Sequence, residues 1–270
     1  MRDAPFIKDT PRKTLDMDGQ QVEFPILYYD LRCITSIFTA KTSRLNKLFP
    51  HPNFKPIEMW PGTGMLGITA FEYRDTSIGP YNEIAITIPV KFPPGFVFPG
   101  IAAISMMRRN VFPVYIHYLP VTTEIALKVG IYFWNYPKFL ADITFQDQGE
   151  YLNVSLKENN RLILKMSAKK LAAKQSGRPQ FHTYSLKDNI VMHALVDGWA
   201  PRLGTIMMGN VARLELGEHR ISEELASLNL SKTAHSGQYT EEMMTKLHDP
   251  DQRWNVDTLA PINSHPYSGK

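Results

Sequence analysis

The sequence predicts a mainly β (α+β) single domain, and three observations carry that expectation. Short runs rich in Val, Ile, Tyr, Phe and Thr are punctuated by 20 prolines and 16 glycines, as strands separated by turns would be. Apolar and polar residues alternate in 162–166 and in 212–216, where Ala212, Leu214 and Leu216 share one face and Arg213 and Glu215 the other. With 270 residues and 43% hydrophobic content, the chain can bury one sizeable core. The expected architecture is mostly antiparallel sheet, curled or closed, with a few short helices near the carboxyl end.

In chain order, residues 62–67 read Gly-Thr-Gly-Met-Leu-Gly, which matches the glycine fingerprint of dinucleotide-binding folds, with Glu83 at about the expected distance. That fingerprint requires a strand before it and a helix after it. Here Met59-Trp60-Pro61 precedes and the alternating, aromatic residues 68–73 follow, so the segment reads as a loop or turn entering a strand. Residues 83–90 read as a strand, and the run 84–88 within it is apolar enough to be buried on both faces. Further strands are expected at 114–119, 142–145 and 152–156. Ile221, Leu225 and Leu228 stand at helical spacing, and residues 240–247 begin with a Thr followed by two glutamates, the pattern of a capped helix. The tails, 1–20 and 250–270, are polar and contain proline; they read as arms that dock on a neighbouring subunit or stay disordered. The whole chain, 1–270, is expected to be one domain decorated by these arms.

Composition narrows the function classes. The single cysteine, Cys33, excludes an intramolecular disulfide and fits a reducing compartment. The amino terminus lacks an apolar signal region, and the least polar later stretch, 96–107, is interrupted by Pro99. A soluble, cytoplasmic protein is expected. Net charge is +4, but the basic residues are scattered and not interleaved with aromatics, so neither nucleic acid nor membrane is an expected partner. The densest basic group, Lys165, Lys169, Lys170, Lys174 and Arg178, surrounds Gly177 and Pro179 and reads as a solvated connection. The eight histidines show no pair at metal-binding helical spacing, and no serine lies in a nucleophile elbow, so no metal or other cofactor is expected. His117, between Ile116 and Tyr118, reads as a hydrogen-bonded packing residue more readily than as a pocket residue.

Two charged residues stand out. Lys138 follows four aromatics, Tyr132, Phe133, Trp134 and Tyr136, with no other charge between Lys128 and Asp142. A lysine near apolar residues commonly buries its stem and lifts its head to water. Held among them, it loses hydration, which favours the neutral amine, and a neutral amine attacks carbonyls. Glu83 would by default be a solvated turn residue after Pro80-Tyr81-Asn82. Leading into the apolar run 84–88, it is expected instead to point into a buried space.

The stretch 124–130 followed by Tyr136-Pro137-Lys138 resembles the signature of the acetoacetate decarboxylase superfamily. Asp75-Thr76-Ser77, Gly79-Pro80-Tyr81-Asn82-Glu83 and Ile88-Pro89-Val90 resemble the segment that brings a glutamate to its pocket. Residues 212–219 and 223–225 are similar to its C-terminal strand and helix. The resemblance implies a cone-shaped antiparallel β-barrel with flanking sheet, assembly as a homo-oligomer, Lys138 as the Schiff-base lysine and Glu83 as the pocket glutamate. It further implies substrate binding by Tyr136 and Arg32. Three positions depart from the family pattern. Phe139 stands where the family carries a second lysine. Thr69 falls on the other pocket glutamate, with Glu72 reachable only by a shifted register. Arg32 misses the family arginine's place by one residue, which in a strand reverses its face unless a bulge intervenes.

The expected function is a Schiff-base-forming decarboxylase acting through Lys138 on a small β-keto acid such as acetoacetate. The alternatives are an aldolase or dehydratase acting on a 2-oxo acid through the same iminium, and a non-catalytic barrel that binds a small carboxylate.

Overall fold

The computed structural model describes residues 2–95, 98–173 and 175–262. Its centre is fixed by the hairpin of Thr63–Thr76 and Tyr81–Lys91. In the connecting turn the Thr76 hydroxyl accepts from the Ile78 amide and donates to the Gly79 carbonyl, and Gly79 takes φ +89°, which a side chain would resist. From Tyr81–Lys91 the sheet runs through Val111–Tyr118, Gln180–Lys187, Ile190–Ile206, Ser236–Leu247 and Ile26–Lys41 to Thr63–Thr76, which pairs back with Tyr81–Lys91. Seven strands therefore close into a barrel, removing the open edges of the sheet. Every pairing around it is antiparallel except Val111–Tyr118 with Gln180–Lys187.

The barrel strands are buried on both faces, as the apolar run after Glu83 anticipates. In Tyr81–Lys91, Ile84, Ile86, Ile88 and Val90 face outward into a core shared with a second sheet, while Glu83, Ala85, Thr87 and Pro89 face the lumen. That second sheet has five strands, ordered Thr233–Ala234, Ala212–Leu216, Arg161–Lys169, Tyr151–Glu158 and Asp142–Gln148. Its Leu152, Val154, Leu156, Leu164 and Met166 pack on the barrel. The helix Arg220–Ser227 closes this layer with Ile221 and Leu225, and His219 Nδ1 caps it by accepting from the Ile221 amide.

Other segments differ from the expectations. Residues 240–247 are not a helix but the end of the strand Ser236–Leu247. Pairing on both sides, with Ile190–Ile206 and Ile26–Lys41, outweighs the local capping pattern, and strand alternation sends the adjacent Met243 and Met244 into different clusters. Helices also occur well before the C-terminal end, at Ile101–Arg109 and Glu124–Trp134. In the second of these Ala126, Val129 and Phe133 are buried at helical spacing, and Asn135, at φ 50°, ends the helix. Gly64 and Gly67 lie within Thr63–Thr76, so no helix follows the glycine motif. Lys165 and Lys169 stand on the exposed face of a strand, and Lys174 lies outside the described residues.

The N-terminal stretch folds onto this chain's own barrel: Ile7 of the helix Pro5–Lys8 packs with Leu27 and Met244, and a hairpin of Lys13–Met17 and Gln20–Phe24 follows. Gln252–Asn255 pairs with Ile190–Ile206; the last part of the expected C-terminal arm, 263–270, lies outside the described residues. No helix among the described residues is long and apolar enough to cross a membrane.

Phe38 is fully buried between barrel and outer sheet. Phe38→Ala is expected to lower the unfolding free energy by about 3–5 kcal/mol, visible as a fall in the denaturant midpoint at unchanged slope.

Candidate active site

The site is built where the helix Glu124–Trp134 turns back toward the barrel. After Asn135 the Tyr136 amide donates to the Gly130 carbonyl at 3.2 Å, reversing the chain. Residues 137–140 then run extended beside 119–121, held by Leu119 N to Pro137 O at 3.1 Å and Val121 N to Phe139 O at 3.0 Å. Side chains alternate along an extended segment. Lys138 therefore enters the lumen, while Phe139 packs away from it, edge-on to Tyr118.

Gly130 makes room for this lysine. A Cβ there would lie 2.2 Å from Lys138 Cε and 2.5 Å from its Cδ, so the stem occupies the space of the missing side chain. The ammonium ends 2.5 Å from Glu83 Oε2, with side-chain exposures of 5% for the lysine and 8% for the glutamate. The opposite oxygen, Glu83 Oε1, accepts from the Tyr73 hydroxyl at 3.3 Å. The Tyr81 ring lies 5.9 Å from the ammonium, and the Tyr28 and Tyr81 hydroxyls share a hydrogen bond of 3.1 Å.

Tyr136 lines the same lumen, stacked on Trp134, and donates to Thr183 at 2.6 Å. Burial first, and then the charge of Glu83, push the Tyr28 and Tyr73 phenols far above their ordinary range; burial does the same for Tyr81 and Tyr136. These hydroxyls stay protonated and act as neutral donors. Burial pushes the Cys33 thiol up to about 12, so it is not a nucleophile at neutral pH.

Lys138, Glu83 and Tyr136 thus converge, but Arg32 does not join them. A register shift at Asp30 and Leu31 leaves Thr35 and Ile37 facing the lumen, so Arg32 has the opposite parity. It points to the outer sheet, bonding Glu72 at 2.9 Å and Asp147 at 2.8 Å. Its hydrogen bond, with one from Lys170, holds the Asp147 carboxyl below its usual value. Glu72 is thereby committed outside the barrel, and Thr69 is the lumen residue, its hydroxyl 3.1 Å from that of Thr35. His117 also faces outward, 2.6 Å from Glu224.

Sequence reasoning missed Tyr73, Tyr28 and the spatial role of Gly130. The hairpin register carries a signal for the first, since pairing Phe71 with Glu83 sets Tyr73 opposite Tyr81. Among the described residues no cluster of three His, Cys, Asp or Glu side chains is arranged to hold a metal ion.

The sequence model of one family, acetoacetate decarboxylase, matches residues 9–253. The chain belongs to the acetoacetate decarboxylase family. No curated protein matches it significantly in sequence. Among solved structures it is similar to an acetoacetate decarboxylase from Legionella pneumophila, at 13% identity and a TM-score of 0.59 over 84% of this chain and 86% of that one. An acetoacetate decarboxylase-like enzyme from Sphingomonas wittichii matches at 15% identity and a TM-score of 0.54, over 87% and 96%. The enduracididine biosynthesis enzyme MppR, solved with the condensation product of pyruvate and imidazole 4-carboxaldehyde, matches at 10% and 0.53, over 84% and 88%. At these identities the likenesses establish a shared fold.

Gly130→Ala tests the packing of the lysine. Alanine is better than glycine in a helix by about 0.5–1 kcal/mol, so helix propensity gives no reason for a loss. The substitution is expected to abolish capture of ketones by Lys138 under borohydride while far-ultraviolet circular dichroism stays that of the parent; undiminished capture would show that the stem has another path.

Proposed function

We propose that this family member is a carbon–carbon lyase that decarboxylates a β-keto acid through a Schiff base on Lys138. The observation that supports the reading is a lysine paired with a carboxylate, 2.5 Å apart, in a lumen whose lining carries no other charged side chain among the described residues.

In the resting pair the ammonium cannot attack. On substrate entry its proton passes to Glu83 Oε2, and the free amine adds to the ketone carbon. Glu83 returns the proton to the departing hydroxyl, so water leaves and an iminium forms. The bond between the α-carbon and the carboxylate then breaks; carbon dioxide departs and the electron pair moves to the iminium nitrogen, giving an enamine. A proton taken up from solvent adds at the α-carbon, and water hydrolyses the resulting iminium to release the ketone and the lysine. Tyr73 orients Glu83 through their hydrogen bond, and Tyr136, tied to Thr183, forms a fixed wall for the substrate.

A related reading, condensation or dehydration of a 2-oxo acid through the same iminium, draws support from the shared fold with MppR. Stoichiometric carbon dioxide release separates the two.

The experiment is a kinetic comparison on β-keto acids. The parent protein is expected to release carbon dioxide and the matching ketone in equal amounts, and Lys138→Ala to lose the reaction. Glu83→Gln keeps size and removes charge, and is expected to lower kcat by about a hundred-fold or more. Full activity in Glu83→Gln would remove that residue from the mechanism, and activity in Lys138→Ala would remove the Schiff base.

A further inference from the structure

We infer that Tyr28 is a substrate-binding residue whose hydroxyl donates to the carboxylate that the keto acid goes on to lose. The inference rests on the Schiff-base reading of Lys138.

Space is the first observation. The lumen encloses about 90 Å³, which a keto acid of a few carbons fills. With its ketone carbon at Lys138, so small a molecule keeps its carboxylate in the same chamber. An ionised carboxylate taken out of water without hydrogen-bond donors is strongly disfavoured, so the chamber wall must supply them.

Supply is the second. Among the described residues lining the lumen only Lys138 and Glu83 are charged, and Lys138 becomes the iminium nitrogen. Arg32 is committed to Glu72 and Asp147 outside the barrel. The carboxylate is therefore left to neutral hydroxyls, and most of these have their protons engaged. Tyr73 donates to Glu83, Tyr136 to Thr183, and Thr183 to the Ala194 carbonyl at 3.0 Å. Thr35 and Thr69 share a bond one lumen-facing position farther along, since Thr69 pairs with Ala85 rather than with Glu83.

The proton count at Tyr28 is the third. Tyr28 and Tyr81 share one hydrogen bond of 3.1 Å, and among the described residues neither hydroxyl has another partner. Two hydroxyls carry two protons, and the bond between them uses one. Tyr28 lines the lumen and Tyr81 does not. Both protons are used when Tyr81 donates to Tyr28 and Tyr28 donates inward, and accepting from Tyr81 strengthens that donation. Tyr28 is buried, and its ring centroid lies 4.5 Å from that of Tyr73, the residue bonded to Glu83, so the free proton stands at the charged end of the chamber.

A neutral donor also suits the reaction. Negative charge leaves the carboxylate as carbon dioxide departs, so a cation fixed on it would hold the ground state more tightly than the transition state. A hydroxyl orients the group with a weaker hold.

The test compares a 3-oxo acid with the ketone it yields, which lacks only the carboxylate. Carbon dioxide release gives KM for the acid, and borohydride capture at Lys138 gives the half-saturating concentration of the ketone. Tyr28→Phe keeps the ring and removes the hydroxyl; it is expected to raise KM for the acid at least about tenfold, with a smaller change in kcat, while the ketone value moves by less than about twofold. Tyr81→Phe leaves the Tyr28 hydroxyl in place without its donor and is expected to raise KM for the acid by a smaller factor. Equal losses for acid and ketone in Tyr28→Phe would make its role structural and overturn the inference, as would an unchanged KM. Capture of the ketone by the parent protein without carbon dioxide release from any 3-oxo acid would overturn the inference and leave the Schiff base standing. Failure of the parent protein to capture any ketone would overturn both.

Discussion

An ammonium and a carboxylate held 2.5 Å apart in an apolar lumen constitute the constraint around which the barrel is arranged. Taking two such charges out of water costs several kcal/mol per ion after relaxation, and their attraction repays this only with good geometry and further hydrogen bonds. The further bonds are few: Tyr73 on one glutamate oxygen and the face of Tyr81 toward the ammonium. The pair is therefore a poor device for stability and a good one for chemistry. The two groups touch directly, and the surrounding strands leave their side chains only 5% and 8% exposed.

Each of the pair's members reaches the lumen by a separate route. Glu83 comes from the barrel wall, where strand alternation sends it inward while Ile84 and Ile86 anchor the outer face. Lys138 comes from outside the wall, carried by the reversal after Asn135 and admitted by the gap at Gly130. The helix Glu124–Trp134 buries Phe133 and Trp134 against Phe24, so a large aromatic contact fixes the ledge from which the lysine extends. The outer sheet acts at one remove, covering the apolar outer face of the strand that bears Glu83.

Much of this was legible in the sequence, for physical reasons that particular residues make plain. A charge inside an apolar run is costly, which is why Glu83 and Lys138 stood out. The strand 212–216 was legible because residues two apart share a face only in an extended chain, so an alternation of period two fits no helix. What was not legible depended on partners distant in sequence. Residues 240–247 look like a capped helix in isolation and become strand because two neighbours offer hydrogen bonds on both edges. The helix Glu124–Trp134 was hidden by its β-favouring aromatics, whose burial is set by Phe24, far earlier in the chain. Arg32 turned on a register shift at Asp30 and Leu31, which no local pattern announces.

The central claim is that Lys138 is the group that bonds covalently to substrate. Incubation of the parent protein with a 3-oxo acid and borohydride, followed by peptide mapping, tests it most directly. The account predicts one reduced adduct per chain, on the peptide that contains Lys138. An adduct confined to a different lysine, or none with any ketone offered, would contradict it.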